Sequence, residues 1–229
     1  MYKAMNRKHI ACISLISTIL VYYVYMYSTF YNREQEEANQ IDEIQKMIID
    51  DVTVSKDITE VVSGKKKEYE ITPNCQNCTQ GNTQNDTQDN AMNNNNLPKG
   101  FDCIISIPAI DLRKIVYTGN GREQHLENYE LITSADDMSY SKGGNYIICG
   151  HASQVYGHSL NRLKELKKGS EVTIWHDNCI DQYRITSIGY EKMNNTSQFC
   201  QQTDDRQLTI ISCAKYIAHD TYIVIQCKK

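Results

Sequence analysis

Residues 208–213 read Leu208-Thr209-Ile210-Ile211-Ser212-Cys213, an apolar, β-branched run that ends on a cysteine. Such a run reads as a buried strand. It passes into Ala214-Lys215-Tyr216-Ile217-Ala218-His219-Asp220, a polar, turn-like segment, and then into a second β-rich run, Thr221-Tyr222-Ile223-Val224-Ile225-Gln226. By itself the stretch fits two descriptions. Cys213 is either a small buried residue finishing a core strand, or a thiol held rigidly and accessibly at the mouth of a strand-loop-strand unit.

Working back along the chain, short strands are expected at Cys103–Ile107, Ile110–Val116, Asn145–His151, Glu171–His176 and Gln182–Tyr190. Pro108 breaks the first, and Thr118-Gly119-Asn120-Gly121 forms a turn. Arg122–Leu131 suits a short helix. Ser159–Leu166 suits another, with Ser159 as N-cap and Leu160, Leu163 and Leu166 on one face. About seven strands with one or two short helices predict a mostly β fold, a single closed or nearly closed barrel beginning near Phe101.

The N-terminal half has a different texture. Ile10–Tyr31 carries no charged side chain and is long enough to cross a bilayer as a helix. Lys3, Arg7 and Lys8 precede it and Arg33, Glu34, Glu36 and Glu37 follow, so the positive-inside rule puts Met1 in the cytoplasm. A cleaved signal peptide would have a shorter apolar core and a small-x-small site, which is lacking after Tyr31. Tyr22, Tyr23, Tyr25, Tyr27 and Tyr31 suit an interfacial aromatic belt. Between Asn32 and Val62, Ile41, Ile44, Met47 and Ile48 recur at helical spacing. This amphipathic helix either packs on the domain that follows or serves as a stalk. Pro73–Leu97, rich in Asn, Gln and Thr, has too little apolar content to fold and reads as linker.

The chain's 229 residues carry a net charge of −4 without a basic stripe, which argues against nucleic-acid binding. Nine cysteines follow no disulfide-framework spacing. Cys75-Gln76-Asn77-Cys78 is a single CxxC with no second pair to complete a zinc site, which leaves a local redox or disulfide pair, or no role. N-glycosylation sequons, as at Asn77, Asn85 and Asn194, are what an Asn-rich composition supplies anyway. They allow a reading as a glycosylated surface protein without enzymatic activity. No cofactor or metal is expected.

Two predicted strands end at reactive side chains, Ile148-Cys149-Gly150-His151 and Ile211-Ser212-Cys213. A cysteine nucleophile with a sequence-distant histidine is a known route to acyl transfer. In order, Ile107-Pro108-Ala109-Ile110-Asp111-Leu112 with Tyr117-Thr118-Gly119, then Gly144–His151, Leu163-Lys164-Glu165-Leu166-Lys167-Lys168-Gly169, and Leu208–Cys213 resemble the sortases, cysteine transpeptidases of Gram-positive cell surfaces. The resemblance covers roughly 101–229.

The resemblance implies that Cys213 attacks a peptide bond in a C-terminal sorting motif of LPXTG type on a secreted protein. His151 would act as general acid and then base, and the thioester would pass to an amine of a cell-wall precursor or a pilin. The residue patterns divide the chain into a cytoplasmic N-terminus (1–9), a signal anchor (10–31), a juxtamembrane helix or stalk (32–72), a disordered linker (73–100) and a sortase-like catalytic domain (101–229), and the anchor and stalk agree with the family's topology. One departure stands out. Sortases carry an arginine on the strand after the cysteine, and here Tyr222 falls at about that position. A phenol donates one hydrogen bond and carries no positive charge. His219, Lys215, Arg184 and Arg206 are other candidates for the missing donor. The alternative function is a catalytically impaired sortase-like domain that binds peptides or acts as a scaffold.

Overall fold

A computed structural model describes residues 7–63, 97–135, 138–142, 144–153, 155, 157–177, 179–200 and 206–229. Cys75, Cys78 and the sequons at Asn77 and Asn85 lie outside the described residues. The chain falls into two compact units, Met1–Gln40 and Ile41–Lys229.

Helix α1 (Arg7–Ser63) contributes to both units. In the first unit its apolar side chains are exposed, Val21 at 69% and Tyr23 at 70%. Among the described residues it is the one helix long and apolar enough to cross a membrane.

The second unit is a closed barrel of eight strands: β1 (Phe101–Ile107), β2 (Leu112–Tyr117), β3 (Leu131–Thr133), β4 (Asn145–Gly150), β5 (Glu171–His176), β6 (Cys179–Lys192), β7 (Gln207–Cys213) and β8 (Thr221–Lys228). Around the barrel the order is β1-β2-β3-β4-β7-β8-β6-β5. The β2–β3 and β4–β7 pairs are parallel and the others antiparallel. The strands follow period-two patterning: along β5, Val172, Ile174 and His176 are buried while the residues between them are partly or fully exposed. Tyr146, Ile148, Leu208, Ile210, Ile223 and Ile225 fill the interior.

The outer face is also covered in places, which turns β4 and β7 into near-continuous apolar runs. Ile41, Ile44 and Ile48 of α1 are buried against Ile104, Ile115, Tyr117 and Ile132 on the outside of β1, β2 and β3. The amphipathic helix therefore packs on the barrel. Each of these isoleucines contributes about 2 kcal/mol by leaving water, whereas the exposed Arg113–Asp42 ion pair at 2.6 Å adds little.

Three local features depart from expectation. Strand β3 was not expected, because three residues cannot display a period; it forms because Leu131 and Ile132 pair with β2 on one side and Ile132 and Thr133 with β4 on the other. The predicted helix from Arg122 ends earlier, at Glu127 (α2, Arg122–Glu127). The predicted helix at Ser159–Leu166 shrinks to a single 3-10 turn, Leu163–Glu165. Ser159 is no N-cap: its φ is +52° and it bridges Ala152, while the Leu160 N–H donates to the His151 carbonyl. Tertiary pairing outcompetes the local helix, and Leu160, Leu163 and Leu166 still bury into the core.

Candidate active site

The parallel ladder between β4 and β7 runs from Asn145↔Gln207 to Gly150↔Ser212. His151 and Cys213 are the next residue on each strand. The antiparallel ladder with β8 pairs Cys213 with Tyr222, and β6 pairs Glu191 with Tyr222. His151, Cys213 and Tyr222 thus lie side by side where β4 and β7 end and β8 begins. Cys149, Ile211 and Val224, one alternation earlier, belong to an outer apolar cluster that also contacts Tyr222. The three candidate residues therefore share the outer face of the barrel. Cys213, His151 and Tyr222 are each partly exposed.

Side-chain packing accounts for the glycine before His151. A Cβ on Gly150 would come within 2.5 Å of Leu131 and 2.8 Å of Leu160, so only glycine lets these leucines close over the strand end. The His151 carbonyl accepts from the Leu160 N–H at 3.1 Å. Ser212, buried and pointing inward, donates its hydroxyl to the Gly150 carbonyl at 2.8 Å. This bond ties together the residues that immediately precede the histidine and the cysteine. Beyond Cys213 the chain turns through Ala214 N–H to Thr221 carbonyl at 2.7 Å and Thr221 N–H to Ala218 carbonyl at 3.2 Å.

The Tyr222 phenol is held above its ordinary pKa, first by burial and then by the charge and the hydrogen bond of Cys213, with a smaller charge effect from Cys149. Tyr222, paired with Cys213 across the ladder, carries a hydroxyl that can donate one hydrogen bond. The remaining candidates lie elsewhere. Arg184 shares the row of Lys228 and Gln207, six residues along β7 from Cys213, about 20 Å away at strand spacing; it pairs with Glu171 at 2.8 Å. Arg206 donates to Asp181 at 3.3 Å. Arg162 donates to the Ile110 carbonyl and Glu165, and Arg122 to the Thr133 carbonyl. Lys215 and His219 sit on the exposed β7–β8 connection.

Two contributors carried no sequence signal of their own. One is Ser212, whose inward orientation follows from the alternation along β7. The other is Tyr129, whose ring stands edge-on to His151 with centroids 5.6 Å apart; it is 22 residues away in sequence, and only the β3–β4 pairing brings it there. Cys103, Cys149, Cys179, Cys213 and Cys227 are free thiols. Among the described residues, no group of three His, Cys, Asp or Glu side chains is placed to hold a metal ion.

A family model for the sortase domain matches residues 105–229. Among solved structures, sortase C1 of GBS pilus island 1 superposes with a TM-score of 0.50 at 16% identity, over 58% of this chain and 65% of that one. Sortase A of Listeria monocytogenes gives 0.49 at 20% identity, over 56% and 86%. Sortase C1 of Streptococcus agalactiae gives 0.49 at 22% identity, over 56% and 67%. At these identities the likeness concerns the fold. No curated protein matches the chain in sequence. The family match covers more than half of the chain, and the barrel carries a cysteine and a histidine on neighbouring strand ends: the chain belongs to the sortase family, whose members are cysteine transpeptidases.

Proposed function

We propose that this sortase is an active, membrane-anchored transpeptidase in which Cys213 is the nucleophile, His151 the proton carrier and Tyr222 the donor at the position of the family's arginine. The observation that carries the reading is the adjacency of the three residues on β4, β7 and β8. The Cys213 thiolate attacks the carbonyl carbon of the scissile peptide bond in an LPXTG-type sorting motif. The C–S bond forms, the oxyanion accepts a hydrogen bond from Tyr222, and the C–N bond breaks as His151 gives its proton to the leaving amine. An incoming amine of a cell-wall precursor or a pilin lysine then attacks the thioester and loses a proton to His151. A new amide forms and the thiolate departs, which suits a thiolate's quality as leaving group.

Residues 10–31 serve as the signal anchor, with the N-terminus cytoplasmic and residues 101–229 outside; the long apolar helix and the flanking Lys3, Arg7 and Lys8 support this. Residues 32–72 and 73–100 join the anchor to the catalytic domain.

The test is trapping of the acyl-enzyme. Incubation with an LPXTG-type peptide should add the mass of the acyl fragment to the wild type and to Cys149→Ala, and add nothing to Cys213→Ala. Cleavage by Cys213→Ala at the wild-type rate would sink the mechanism.

The engagement of every described barrel arginine elsewhere favours a second reading, an impaired domain that binds sorting peptides without cleaving them. Thiol alkylation across pH separates the two: a nucleophile poised beside His151 reacts faster than Cys179, whereas equal, slow labelling fits the binding module.

A further inference from the structure

We propose that Tyr129 is a positioning residue that fixes the orientation of the His151 imidazole. The inference rests on the reading of His151 as the proton carrier of the site.

Tyr129 follows α2 in a helix-terminating motif. Asn128 caps the helix, the Tyr129 N–H donates to the Leu126 carbonyl at 2.9 Å, and the Glu130 N–H donates to the His125 carbonyl at 3.0 Å. This pair of bonds requires a left-handed residue at Tyr129, where glycine is the usual occupant. Its φ is +64°. A bulky side chain in that conformation carries backbone strain, and such strain persists where surrounding contacts hold it.

The contacts are two imidazoles. The Tyr129 ring lies 5.6 Å from His151 at an interplanar angle of 60°, and 5.4 Å from His158 at 50°. His158 is buried. Its backbone N–H donates to the Val155 carbonyl at 3.1 Å, and burial of the side chain gives the phenol ring a packed surface on which to rest. The backbone of His151 is already held by Leu160 and by the close packing at Gly150. What remains free is rotation of the imidazole, and the edge-on phenol restricts it. Both observations, the strained backbone and the double ring contact, bear on the same side chain.

Substituting glycine separates this role from a structural one, because glycine suits the left-handed backbone and removes only the ring. Tyr129→Gly should stay folded, with kcat on a sorting-motif peptide lowered about tenfold or more, the scale expected of a misplaced catalytic group. KM should change by less than about twofold, since the interaction acts on the transition state. Tyr129→Phe, which keeps the ring, should retain wild-type kcat. A substrate-free readout is NMR of the His151 side chain: the resonances and three-bond couplings that report its χ1 rotamer should show one rotamer in the wild type and Tyr129→Phe and move to rotamer-averaged values in Tyr129→Gly. A wild-type enzyme that cleaves no peptide would count against the transpeptidase reading, while the NMR comparison would still decide the positioning. Wild-type kcat, or unmoved His151 resonances, in Tyr129→Gly overturns the proposal.

Discussion

Where β7 begins, Asp181 accepts hydrogen bonds from the Tyr140 hydroxyl at 2.6 Å, Lys229 at 2.6 Å and Arg206 at 3.3 Å, with His176 at 3.5 Å. Where β7 finishes, Cys213 has a histidine on one neighbouring strand and an uncharged phenol on the other. The first end is inward-facing and closed: Asp181 and His176 are buried, Tyr183 bonds Tyr140 at 2.5 Å, and Tyr146 bonds Asp102 at 2.6 Å. The second end faces outward and stays half-exposed. Arg206, which in sequence was a candidate for the missing catalytic cation, neutralises a buried carboxylate instead. A charge buried in the barrel demands partners, because leaving it unpaired costs several kcal/mol. Cys213 and His151 are partly exposed, so water meets part of the demand that a buried charge would place on protein partners. The contrast teaches that the count of arginines in a sequence says little about the field at its active site.

The comparison can be broken in stages. The largest effect belongs to His151→Ala, which should lower the acylation rate by about 10²–10⁴, the range of general acid–base catalysis, while leaving the melting temperature near wild type. Asp181→Ala should do the reverse. Loss of the shared acceptor strands Lys229, Arg206 and His176 and costs about 3 kcal/mol of stability, read by denaturant unfolding, with activity per folded molecule retained. If Asp181→Ala also removed activity from the folded fraction, the two ends would be coupled.

Tyr222→Phe comes next. An oxyanion donor contributes about 10²–10³ in rate, so kcat should fall by about that factor with KM little changed. Unchanged turnover would remove Tyr222 from the mechanism. The pH dependence of stability sharpens the contrast further. Burial alone would raise the Asp181 carboxyl, but the nearby His176 and hydrogen bonds from Lys229 and Tyr140 hold it far below the usual carboxylate range. Its contribution is complete above the unfolded value of about 3.9 and is lost as the pH falls below that. Burial alone would lower His176, but its bonds to Asp177 and Asp181 raise it. Its contribution is complete below about 6.5 and disappears as the pH rises through the raised folded value. Stability measured from acid to alkaline pH should decline on both sides, and Asp181→Asn should flatten the acid limb. The smallest effect is Ser212→Ala, about 1 kcal/mol for one buried hydrogen bond, again measured by unfolding.

Much of the architecture was legible in residue patterns. The β-branched runs at Glu171–His176, Leu208–Cys213 and Thr221–Gln226 became strands because alternation and bulk at Cβ favour the pleated backbone. The spacing of Ile41, Ile44 and Ile48 marked an amphipathic helix, and the structure decided that its apolar face packs on the barrel rather than forming a free stalk. The uncharged run at Ile10–Tyr31 and the cysteine and histidine at strand ends were visible without coordinates. Alternation tells which face a side chain takes, but not which strand lies beside it. That β4 runs parallel to β7, that Tyr222 sits opposite Cys213, and that Arg184 and Arg206 belong to other rows depend on long-range register. Strand β3 and the approach of Tyr129 to His151 depend on contacts that no local window contains. Composition and period determined that this chain is a barrel behind an apolar helix; barrel closure, which pairs strands tens of residues apart, decided which side chains meet.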